Sequence, residues 1–164
     1  MNTKRILIIM LSVILVVSMF TFSASAANTT DVDFIINIGS SPSPNIASSP
    51  RVKTDSSSSY INYNTTASGA VATGPYKFEA FIYGSNSPNH SFTDCSSYTW
   101  NGYARTKAIV TRGTVGLIRQ DVYEIYGPNS YAQIYGKSCG YTGTAKGCWS
   151  ADSIGSYSYY NAVA

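Results

Sequence analysis

The stretch Val32-Asp33-Phe34-Ile35-Ile36-Asn37-Ile38 decides the fold. Its apolar side chains at 32, 34, 36 and 38 recur at period two, as in a strand with one buried face. A second stretch, Tyr76-Lys77-Phe78-Glu79-Ala80-Phe81-Ile82-Tyr83, sets Phe78, Ala80 and Ile82 against Lys77, Glu79, Phe81 and Tyr83. That pattern predicts a strand covered on both faces.

Composition points the same way. Beyond residue 26 the chain holds one Leu, no Met, two Glu and two Gln, so strong helix formers are nearly absent. It holds 11 Ile, 7 Val, 13 Thr and 14 Tyr, the β-branched and aromatic residues that suit a pleated surface. Further strands are predicted over 51–54, 58–65, 99–110, 114–126 and 130–135. Thr111-Arg112-Gly113-Thr114 reads as a hairpin link between the two longest of these. The expectation is an all-β domain, a β-sandwich of about seven strands. Ile-Tyr-Gly recurs at 82, 125 and 134, but without the regular period of a repeat architecture. The Ser/Pro-rich N-terminal segment beginning at Gly39-Ser40-Ser41-Pro42 lacks periodicity, and 39–59 is predicted to be a flexible loop or linker.

The N-terminus has its own pattern. Lys4 and Arg5 precede the apolar run Ile6 to Phe22, and Ser23-Ala24-Ser25-Ala26-Ala27 follows. A basic start, an apolar centre and an A-x-A pattern make residues 1–26 a signal peptide, cut after Ala26 or Ala27. The run is short for a membrane span, which needs about 20 apolar residues. Residues 27–164 are then a single secreted domain with no stable membrane span after cleavage.

Charge narrows the function classes. The chain has 11 basic and 8 acidic residues. Removing the leader takes away Lys4 and Arg5 and leaves 9 against 8, a net charge of +1. A nucleic-acid partner is excluded, because clustered phosphate-neutralising charge is missing.

No catalytic residue, metal site or cofactor is assigned. His90 is the sole histidine, and the run His90 to Cys95 does not by itself make a nucleophile–base pair. Asp121 and Glu124, placed on a strand, point to opposite faces, so they do not form a glycosidase pair. No EF-hand spacing surrounds Asp31 and Asp33. The chain is expected not to be an enzyme.

Two groups are candidate binding residues. Tyr103, Arg105 and Lys107 alternate along one predicted strand face, and basic residues interleaved with an aromatic suit a polymer or an anionic surface. Tyr157, Tyr159 and Tyr160 crowd the C-terminal tail, where they are hard to place in a core. The expected partner is a cell-wall or extracellular matrix polymer. A small exported antimicrobial or toxin-like protein is the rival reading, weakened because no membrane-active amphipathic helix can be drawn.

Three cysteines remain after export, Cys95, Cys139 and Cys148. An exported chain permits a disulfide, and an odd count leaves one thiol over. Cys139 and Cys148 flank the Gly-rich stretch 140–147 and are the candidate disulfide, with Cys95 free or pairing between chains.

Asp31-Val32-Asp33-Phe34 after the leader, Ala104-Arg105-Thr106-Lys107, and Gly147-Cys148-Trp149-Ser150-Ala151-Asp152-Ser153 carry a resemblance. The layout resembles small exported proteins of Gram-positive bacteria in a family of unknown function. The resemblance implies a secreted β-rich protein and brings no catalytic residue with it.

Overall fold

The computed structural model describes residues 28–46, 48–97 and 104–162. The predicted leader and Tyr103 lie outside these residues. Among the described residues, ten strands and one helical turn follow in order: β1 (Val32–Ile38), β2 (Asn45–Ile46), β3 (Arg51–Lys53), β4 (Ser59–Asn62), β5 (Lys77–Ser85), β6 (Thr93–Asp94), β7 (Ala108–Thr111), β8 (Val115–Ile118), α1 (Val122–Tyr126), β9 (Ser130–Lys137) and β10 (Gly143–Ser150). They form two antiparallel sheets. The first runs β1-β10-β4-β8. In the second, β5 and β9 are central, β2 and β3 pair with β9, and β6 and β7 pair with β5. No helix among the described residues is long and apolar enough to cross a membrane.

The alternation in β1 sets the packing. Phe34, Ile36 and Ile38 are buried, while Asp33, Ile35 and Asn37 are exposed. The buried set meets the inner faces of β4, β5 and β9 in one core that includes Ile61, Phe78, Ile82 and Ile134. Phe34 stands edge-on to Phe78 at 6.1 Å, a contact between the two sheets. Tyr63 packs on Phe78 at 5.2 Å and donates its hydroxyl to Pro75 O at 2.8 Å, so its one polar atom is satisfied. Gly147 lies opposite Phe34, and a Cβ there would sit 2.5 Å from Asn62 O.

β5 is covered on both faces, as its sequence predicts. Phe78, Ala80 and Ile82 enter the core. On the outer side Tyr83 stacks on Tyr135 at 4.1 Å, and Lys137 and Lys107 lie 3.4 and 3.7 Å from Glu79.

Four sequence expectations need correction. Residues 111–114 do not close a hairpin: Thr111 pairs with Lys77 in the second sheet, while Val115 pairs with Asn62 in the first. The link is therefore a corner between sheets. The strand predicted over 114–126 ends at Ile118, and 122–126 turns into helix α1. Gly84 makes room for that turn, since a Cβ there would lie 2.8 Å from Val122 Cγ2. The Ser/Pro-rich stretch 39–59 carries β2 besides the strand expected over 51–54, and both β2 and β3 are hydrogen-bonded to β9.

Finally, Cys139 and Cys148 are not bonded, and all three cysteines are free thiols. Cys139 stays in the turn after β9, whereas β10 already begins at Gly143. Cys148 lies about 17 Å further along that strand, between Asp33 and Asn62. A disulfide needs α-carbons within roughly 7 Å.

The tail seals an open edge. Leu117 N donates to Ser158 O at 2.9 Å and Tyr160 N donates to Leu117 O at 2.8 Å, so residues 158–160 line β8. Ala162 then exchanges hydrogen bonds with Thr106, using the Thr106 amide at 2.9 Å and the Thr106 hydroxyl at 2.8 Å.

The β1 register makes a direct prediction. Phe34→Ala should cost about 3–5 kcal/mol, and Ile35→Ala, one residue away, within about 0.5 kcal/mol. Urea unfolding of the two variants measures both, and comparable losses would refute the alternation.

Candidate functional site

Strand pairing brings Tyr60, Ser150 and Leu117 into one row across the first sheet. Ile61 next to Tyr60 is buried in the core, so Tyr60 faces outward. Tyr157 from the tail lies against it, with ring centroids 5.1 Å apart. Together with Asp31, Ser150, Ser153 and Ile154 they line a shallow groove of about 190 Å³. Tyr157 and Ile154 are exposed. Burial, the Asp31 carboxylate and Tyr157 push the Tyr60 phenol up to about 12, so it stays protonated and can donate at neutral pH. The groove thus offers two phenol rings, a carboxylate and hydroxyls side by side.

The predicted binding residues do not form one surface. Arg105 turns inward, with its guanidinium paired to Asp121 and donating to Cys95 O at 3.0 Å. It supports the fold and is not free for a polymer. Lys107 is 71% exposed and lies near Glu79 on the outer face of the second sheet. Tyr160 packs against the core, its hydroxyl 2.7 Å from Thr114 Oγ1. Tyr159 lies under the Arg119 guanidinium at 3.8 Å. Only Tyr157 among the tail tyrosines lines the groove. Sequence analysis missed Tyr60 and Ser150 as its partners. The alternation around Ile61 marks Tyr60 as outward-facing, but nothing local tells that the tail, nearly a hundred residues later, folds back onto it.

The thiols are placed unequally. Cys95 and Cys148 are buried, and burial pushes each thiol up to about 12, with Asp31 adding to the effect at Cys148. Cys148 Sγ lies 3.6 Å from Oδ2 of Asp31, which lines the groove. Cys139 is partly exposed. Among the described residues no group of three or more His, Cys, Asp or Glu is placed to hold a metal ion.

A second polar centre lies where the sheets meet. Lys53 Nζ, at the end of β3, contacts Asp152 Oδ1 at 2.5 Å, and both side chains are wholly buried. Asp152 Oδ2 accepts from Asn28 N at 2.6 Å, Thr54 N at 3.1 Å and Thr54 Oγ1 at 2.6 Å. Burial alone would raise the Asp152 carboxyl, but the hydrogen bonds from Lys53 and Thr54 and the Lys53 charge outweigh it and hold it below the usual carboxylate range.

These features define an all-β protein of two antiparallel sheets, with an open aromatic groove on one face. The chain belongs to the family described as Protein of unknown function (DUF2712), which it matches over residues 22–153. No curated protein and no solved structure matches it.

The cysteine environments predict selective chemistry. Alkylation of the native protein near pH 8 should modify Cys139 alone, with Cys95 and Cys148 reacting only after denaturation. Peptide mapping of the alkylated sites measures this, and fast native labelling of Cys148 would contradict its burial.

Proposed function

We propose that this chain is an exported, non-catalytic β-sandwich domain that binds a hydroxyl-rich polymer of the cell wall or extracellular matrix. The observation that supports it best is the Tyr60–Tyr157 pair beside Asp31 and Ser153. Aromatic faces pack against the apolar side of a sugar ring, while carboxylate and hydroxyl groups meet its hydroxyls. The groove is smaller than the roughly 300–1,000 Å³ of enclosed small-molecule pockets. It is open to solvent rather than enclosed, which suits one face of an extended chain. The leader pattern at 1–26 supports export, and the near-neutral charge of the remaining chain supports an uncharged or weakly charged partner.

Binding is tested by depletion of the purified chain from solution onto insoluble wall and matrix polysaccharides. Tyr157→Ala should weaken it about tenfold, as expected for an aromatic contact worth about 1.4 kcal/mol. Tyr76→Ala, at an exposed tyrosine away from the groove, should leave it unchanged. Equal binding by all three proteins, or none by the parent, would overturn the reading. Sequencing the protein collected from culture medium should find Ala27 or Asn28 at its N-terminus, and an intact Met1 would exclude cleavage.

A further inference from the structure

Lys53 and Asp152 meet in a way that the other ion pairs do not. Lys107 and Lys137 approach Glu79 only to 3.7 and 3.4 Å, and Lys107 is open to water. Arg105 faces Asp121 with a guanidinium, which stays protonated and is a poor nucleophile. Lys53 instead holds a primary amine 2.5 Å from a carboxyl oxygen, with both groups wholly buried. The second carboxyl oxygen is gripped by Asn28 N–H, Thr54 N–H and the Thr54 hydroxyl. Three donors converging on one carboxyl oxygen form the arrangement that stabilises an oxyanion. The Asp55 carboxylate, 3.6 Å from Nζ and partly open to solvent, can carry a proton. Ser57 O accepts a hydrogen bond from Nζ and fixes its direction.

We propose that Lys53 and Asp152 condense into an intramolecular amide bond that covalently joins the two sheets. A proton first passes along the Nζ–Oδ1 contact, against the preference of the hydrogen-bonded carboxylate for its ionised form, giving a short-lived neutral amine and neutral acid. The Nζ lone pair attacks Asp152 Cγ, the C–N bond forms, and the carbonyl electron pair moves onto Oδ2 among its three donors. Asp55 takes a second proton from Nζ and delivers it to Oδ1. The Cγ–Oδ1 bond breaks, Oδ1 leaves as water, and Oδ2 returns to a carbonyl. The ammonium and carboxylate thus become one secondary amide and one water, with no oxidant or cofactor. Fixed contact supplies the high effective concentration that such a condensation needs, and burial keeps bulk water from the intermediate.

The test is intact-mass spectrometry of the folded, secreted chain, followed by peptide mapping under denaturing and reducing conditions. The expected result is a mass one water below that of the cleaved sequence, and a branched peptide joining the Lys53 and Asp152 fragments. Lys53→Met and Asp152→Ala should each restore the full mass. Asp55→Asn, at the partly exposed position, should slow condensation about a hundredfold while leaving the fold intact. A folded parent chain with unmodified mass, or a water loss mapped to any other pair, would overturn the proposal. Both outcomes are read on the parent chain, so they hold even if a buried variant does not fold.

Discussion

A lysine and an aspartate with no access to water hold the two sheets together at one end. Lys53 ends β3, which hydrogen-bonds to β9 in the second sheet, and Asp152 follows β10 in the first. Removing two charges from water costs several kcal/mol per ion, so the pair comes together only because its remaining hydrogen-bonding capacity is filled. Asn28 and Thr54 occupy one side of the carboxylate, and the Ser57 carbonyl occupies the ammonium. The neighbours are bound in turn. Gln120 Nε2 donates to Ser57 O at 2.8 Å, Asn28 Nδ2 to Val52 O at 2.8 Å, and Ser59 Oγ to Ala151 O at 2.9 Å. The start of the described chain, the turn before β4 and the segment after β10 are therefore fixed by one cluster. The groove depends on it, because Asp31 and Ser153 lie beside the residues that the cluster holds.

The two outer faces differ in kind. On the first sheet, Tyr60 faces outward, and with Asp31, Ser153 and Tyr157 it lines an open depression. On the second, Phe81, Tyr83 and Tyr135 pack on one another and Glu79 is enclosed by two lysines. That face satisfies its own groups. The asymmetry places the accessible hydrogen-bonding capacity near the tail.

Much of the architecture could be read locally. The alternation in β1 and the two-sided apolar character of β5 depend on neighbours within one strand, and both agree with the structure. The region from 104 to 126 could not be read that way. β-branched and aromatic residues favour extended chain, yet they do not say which sheet a strand joins, so the Thr111–Thr114 corner resembles a hairpin. Val122 to Tyr126 turns helical because it packs onto Gly84, a contact invisible in its own sequence. Arg105 reads as a surface cation because its partner Asp121 lies beyond two strands and a corner. Lys53 gave no sign of burial at all, since only tertiary structure brings Asp152 to it. For the groove, Tyr157 was legible as an exposed aromatic, while Tyr60 became its neighbour only through strand order.

The closure of β8 by residues 158–162 bears on the timing of folding. Synthesis is vectorial, and these residues follow all ten described strands out of the ribosome. Until they arrive, the β8 edge is unpaired and Asn161 cannot donate to Ser96 O and Arg119 O. Asp152, which completes the buried cluster, also emerges late. A nascent chain thus lacks these closures until every described strand has been made, and its non-local strand pairings are intrinsically slow.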